Sequence, residues 1–119
     1  MNREEFNTIF KSISDFFGIL SNPDRVKILG LLISQELDVQ AIREKLHISQ
    51  SRVSQHLKLL KLNSIVEERR AGKHVYYHVK DSNIAKVVES AIQFHMKSIV
   101  EPQTMNLFNE LFSLWHVEN

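Results

Sequence analysis

The chain has 119 residues, 43% of them apolar, which fits one core of ordinary domain size and leaves too little for two. Only three glycines and two prolines exclude a disordered tail, and the lack of cysteine excludes disulfides, thiolate metal sites and cysteine nucleophiles. A net charge of +1 hides a segregation: residues 41–80 hold 9 basic and 3 acidic groups (+6), against 4 and 6 (−2) before them and 2 and 5 (−3) after.

Phe6, Ile9, Phe10, Ile13, Phe16, Phe17 and Leu20 recur at steps of three, four and one, which predicts an amphipathic first helix over about residues 3–20. Asn22-Pro23-Asp24 supplies an N-cap, a proline at the first helical position and an early acid, so a second helix runs through Val26, Leu29 and Leu32 to about Ser34. Asp38 caps a third, Val39 to Leu46, with Ala41, Ile42 and Leu46 inward. His47-Ile48 is a turn, and Ser49 caps a fourth helix, Gln50 to Leu62, which buries Val53, Leu57, Leu59 and Leu60.

The texture then changes. Ile65-Val-Glu-Glu-Arg-Arg70 and Lys73-His-Val-Tyr-Tyr-His-Val79 flank Ala71-Gly72; the second run alternates at period two, which predicts a β-hairpin with the turn at Ala-Gly. Helical spacing returns from Ser82 with Ile84, Val87, Val88, Ala91, Ile92, His95 and Ile99. Pro102 interrupts it, and Met105, Phe108, Leu111, Phe112 and Trp115 predict a last amphipathic helix over 103–115. No repeat or Pro/Gly-rich linker divides the chain. The charged Met1-Asn-Arg-Glu-Glu-Phe6 is unlike a signal peptide, and no stretch nears the roughly 20 apolar residues of a membrane span. A cytoplasmic protein with no membrane partner is expected.

Helices followed by a hairpin, with a short turn between the third and fourth helices, predict a mainly α winged helix-turn-helix. The helix-turn-helix takes about residues 38–62 and the wing about 65–79. The second helix of such a unit enters the major groove of double-stranded DNA and the wing lies beside the backbone. Gln50, Arg52, Gln55 and His56 are types that read base edges; Ser49, Ser51, Ser54 and Lys58 are types that hold phosphates. Arg69, Arg70, Lys73 and His74 are expected together at the wing tip. The alternative is a winged-helix protein-interaction module whose basic face is merely solvated.

Three stretches resemble the ArsR/SmtB family of repressors: Ile19-Leu-Ser-Asn-Pro-Asp-Arg-Val-Lys-Ile-Leu-Gly-Leu-Leu32, Ile48-Ser-Gln-Ser-Arg-Val-Ser-Gln-His-Leu-Lys-Leu-Leu60, and Ile65-Val66 with Gly72-Lys-His-Val-Tyr-Tyr-His-Val79. The likeness covers about residues 5–98. It implies a homodimer built on the first and fifth helices, an inverted-repeat operator, and repression relieved by an inducer. Two positions depart from the family pattern: His47 stands where a glycine is frequent, and Asn63-Ser64 replaces a glycine-rich helix end, with Asn63 expected to take the left-handed conformation.

Many relatives sense metals through cysteines or through an acid/histidine set on paired fifth helices. Here Asp81 fits that set, but Asn83, Phe94 and Lys97 stand where ligands belong, so no metal site or cofactor is expected. The rival reading is a metal-sensing repressor using histidines of the dimer interface, with His95 the candidate. His74 and His78 lie roughly 13 Å apart along one strand, too far to share an ion, and His116 is expected to be solvated. No hydrolase, P-loop or zinc-protease motif occurs, so an enzyme is not expected. A small-molecule or protein effector is left without a chemical signature.

Overall fold

A computed structural model describes residues 1–96 in the order α1 (Arg3–Leu20), α2 (Pro23–Ser34), α3 (Val39–Leu46), α4 (Gln50–Leu62), β1 (Val66–Ala71), β2 (His74–Val79) and α5 (Ser82–Met96). The expectations for Lys97, Ile99, Pro102, the helix over 103–115 and His116 lie outside the described residues.

Four helices start on side-chain caps. Asn22 Oδ1 accepts the Arg25 N–H at 3.1 Å, Asp38 Oδ1 that of Ala41 at 2.8 Å, and Ser49 Oγ that of Arg52 at 3.2 Å. In α1, Asn2 Oδ1 accepts from the Glu5 N–H at 2.8 Å while the Glu5 carboxylate accepts from the Asn2 N–H, a capping box that the apolar stripe alone does not reveal.

α2 is the hub. It packs against α1, α3, α5 and β2. Its Ile28 and Leu29 are fully buried with Ile42 of α3 and Val53, Leu57 and Leu60 of α4; Val88, Ile92 and Met96 of α5 close the core. α3 and α4 are thereby fixed as a helix-turn-helix whose fully buried residues are all apolar. The turn rests on His47, which takes φ 56° and donates its N–H to Arg43 O at 2.9 Å. A residue with a Cβ is about 1–2 kcal/mol less favourable there than glycine.

The end of α4 differs from expectation. Asn63 keeps φ −97° and the left-handed residue is Ser64, at φ 59°. Ser64 N–H donates to Lys61 O at 3.0 Å and Ile65 N–H to Leu60 O at 2.9 Å, a Schellman closure that places the left-handed residue one position beyond the cap. The buried pair Leu60 and Ile65 seals it.

The hairpin pairs antiparallel from Val66↔Val79 to Ala71↔His74, so its two-residue loop is Gly72-Lys73 and not Ala71-Gly72. Gly72 takes φ +63° at the first central position, as a II′-type turn requires; Ala71 stays in the ladder because its partner is His74. Leu37 joins the far side of β2, exchanging both backbone hydrogen bonds with Tyr77 at 3.2 and 2.9 Å. The wing is thus tied to the segment between α2 and α3.

Candidate nucleic-acid interface

Burial of Val53, Leu57 and Leu60 turns the opposite side of α4 to solvent. Gln50, Ser51, Arg52, Ser54, Gln55 and Lys58 are all exposed there. Ser49 is exposed at the helix start, its hydroxyl accepting the Arg52 N–H and lying 3.3 Å from that of Ser51. Eight residues expected at the interface therefore lie on one helix, seven of them facing outward. The eighth, His56, is set back: its side chain is only 14% exposed and Nε2 lies 3.9 Å from Asp24 Oδ2. Burial, then the nearby Arg25, push its pKa below the ordinary histidine value; the attraction of Asp24 opposes this and Arg52 adds to it. Its neutral ring serves as a half-buried link between α4 and α2. Asp24, which the residue pattern marks only as an early helix acid, also lies 3.5 Å from the Arg52 guanidinium.

The four wing residues divide between two faces. Lys73 occupies the turn. Arg70 points with Glu68, whose carboxylate lies 3.7 Å from it and 2.8 Å from Lys61 Nζ. The hydrogen bond and charge of Lys61 hold the Glu68 carboxyl below the usual carboxylate range, against some desolvation, while burial and the Glu68 charge raise the Tyr77 phenol. On the other face Arg69 turns back to the body, its Nε donating to Glu36 at 3.0 Å with the guanidinium 5.0 Å from the Tyr76 ring. His74 lies 3.7 Å from Asp38. Opposite strand partners explain the split, since neighbours along a strand face opposite ways. The expected single tip cluster is two rows sharing Lys73.

His78 stands between Glu36 at 3.0 Å and Glu67 at 3.3 Å. The first contact is close in distance but lacks hydrogen-bond geometry at Nδ1. Among the described residues no three histidine and carboxylate groups are arranged to hold a metal ion. Just before α5, Asp81 Oδ1 accepts the Asn83 N–H at 2.7 Å and so acts as a helix-start acceptor; within α5, Phe94 is 70% exposed and meets the His95 ring edge-on at 5.1 Å.

A second exposed face among the described residues is apolar. Phe6, Ile9, Phe10, Ile13 and Phe17 of α1 are each between 42% and 56% exposed. An open groove of about 450 Å³ continues this face between α1 and α5, lined by Phe17, Leu20, Val87, Ala91 and His95 among others. No helix among the described residues is long and apolar enough to cross a membrane.

A sequence profile described as "Bacterial regulatory protein, arsR family" matches residues 22–68, from the cap of α2 into the wing. The cadmium resistance transcriptional regulatory protein CadC of Listeria innocua is 37% identical over 84 residues, 70% of this chain and 71% of the relative. A transcriptional repressor SmtB homolog of Synechocystis is 32% identical over 74 residues, 62% of this chain; the chain spans 56% of that relative's length. Among solved structures, the homodimeric winged helix-turn-helix DNA-binding domain Mb0332 of Mycobacterium bovis superposes with a TM-score of 0.69 at 25% identity, over 87% of this chain and 94% of that one. Profile, identity and architecture agree: the chain belongs to the ArsR family of bacterial regulatory proteins, winged helix-turn-helix transcriptional regulators.

Proposed function

We propose that the protein is a cytoplasmic, homodimeric repressor that binds an inverted-repeat operator, with α4 in the major groove and the wing beside the phosphates. The observation that carries this reading is the outward face of α4, where Gln50, Arg52 and Gln55 stand among Ser49, Ser51, Ser54 and Lys58, base-reading and phosphate-holding types on one rigid helix. Lys73 in the wing turn and Arg70, exposed on the wing, are the basic groups offered to the phosphates. Relatives named as repressors and a homodimeric structural neighbour support the same role. Two-fold symmetry sets the half-sites about one helical turn apart, roughly 34–36 Å.

Selection of bound sequences from a random duplex library tests it, followed by titration at several salt concentrations. Arg52→Ala and Gln55→Ala are expected to weaken the selected site by about 1–3 kcal/mol and to relax preference at particular base pairs. Lys73→Ala should weaken every duplex alike and lower the salt slope by about one. Salt-independent binding, or wing variants that alter preference while helix variants leave it intact, would defeat the reading.

A further inference from the structure

We infer that Asp24 is a positioning and specificity-determining residue of the DNA-reading surface, an inference that rests on the function proposed above. Asp24 sits in the first turn of α2, where the helix N-terminus favours a carboxylate. Its side chain is only 19% exposed, and its Oδ2 faces two residues of α4 four positions apart, Arg52 at 3.5 Å and His56 at 3.9 Å. Arg25, the neighbouring cation, is engaged elsewhere, donating Nε to Ile19 O at 2.7 Å.

The Arg52 side chain is 62% exposed. An ion pair this open adds little to fold stability, so the helix N-terminus accounts for an acid here but stability does not account for its facing Arg52. Two consequences for recognition do. First, the carboxylate restrains a long side chain that otherwise samples many rotamers, so the planar fork is held in one orientation before it meets a base. Second, a negative charge beside the first turn of α4 repels phosphate, so loose, backbone-only docking of Arg52 is disfavoured and only a base edge that returns two hydrogen bonds compensates. Arg52 is then a reader of guanine at one fixed position in each half-site, with Asp24 acting through it.

The test is library selection and duplex titration with the full-length protein and the variants Asp24→Asn, Asp24→Ser, Arg52→Ala and Asp24→Asn/Arg52→Ala. Asp24→Asn is expected to raise affinity for random duplex about threefold to tenfold at low salt and to reduce preference at a single base pair per half-site about tenfold. Asp24→Ser should repeat this should the amide perturb the helix start. In the Arg52→Ala background the same change should leave base preference unaltered. A wild-type protein that selects no sequence overturns the DNA-reading function and this role with it. If the wild type selects a site and the Asp24 variants select it with equal stringency, or lose affinity for all duplexes in parallel with a fall in urea midpoint, the role of Asp24 alone is overturned.

Discussion

At the scale of single residues, two histidines carry opposite lessons. His47 is held at φ 56° by the geometry of the α3–α4 turn, a conformation that glycine adopts without its Cβ penalty. Glycine also loses more freedom on folding, by about 0.4–1 kcal/mol. The backbone part of His47→Gly is a gain of up to about 1 kcal/mol, against which the loss of the side chain's own contact counts, so a urea midpoint no lower than wild type is expected with operator binding retained. His56 is kept neutral chiefly by burial, so its pKa in the folded protein lies below the ordinary value of 6.5. The folded state then binds a proton less readily than the unfolded chain. The stability this represents is complete above pH 6.5 and is lost as pH falls through the folded pKa. His56→Gln should therefore reduce the drop in urea midpoint between pH 7.5 and pH 5.5; an undiminished drop would place the acid sensitivity elsewhere.

At the scale of elements, the wing is a two-stranded ribbon that is marginal alone. It is tied to the body by the Leu37–Tyr77 bridge, while Lys61–Glu68 to the end of α4 and Arg69–Glu36 to the α2–α3 segment orient it and, being open to solvent, add little stability. Gly72 sets its turn. A Cβ there would meet nothing within 4 Å, so the penalty of Gly72→Ala is purely conformational, about 1–2 kcal/mol. That loss should appear first as faster amide exchange in β1 and β2, with α4 unaffected, and as weaker binding to all duplexes. Gly72→Asn, which tolerates positive φ better, should lose less. A uniform rise in exchange across the core would contradict this partition.

At the scale of the whole molecule, α1 presents an apolar stripe that stays exposed among the described residues. The Phe6 and Phe10 rings meet at 4.8 Å, tilted by 45°, on the outside, while Phe16, Ile19 and Leu20 pack inward on the core. A contiguous exposed face of this kind marks an association surface. Light scattering should give twice the chain mass of 13.9 kDa at micromolar concentration. Burying one phenylalanine is worth about 1.5–3 kcal/mol, and a two-fold interface counts it twice, so Phe10→Asp should weaken dimerisation by about a hundredfold or more. Because the dimer spaces the two α4 helices, operator affinity should fall with it while the monomer's helical spectrum persists. A wild type that stays monomeric at micromolar concentration would remove this interface.

The bounds of α2, α3 and α4 were legible in the residues because each of these starts carries a local cap and each buried face a local period. Asn22-Pro23, Asp38 and Ser49 announce α2, α3 and α4 without reference to the rest of the chain. The outward face of α4 followed from the same arithmetic, since Val53, Leu57 and Leu60 leave only one side for Gln50, Arg52 and Gln55. What depended on distant partners was decided by the tertiary structure. The left-handed residue after α4 is Ser64 because Ile65 must reach back to Leu60, and the wing turn is Gly72-Lys73 because Ala71 has a cross-strand partner. Likewise Asp24 reads as a helix-start acid until α2 is laid against α4, and Arg69 as a tip cation until Glu36 stands beside it. Short-range hydrogen bonds and helical periodicity are written within a few residues of sequence; pairings between charges 28 and 33 positions apart exist only once the core has brought their elements together.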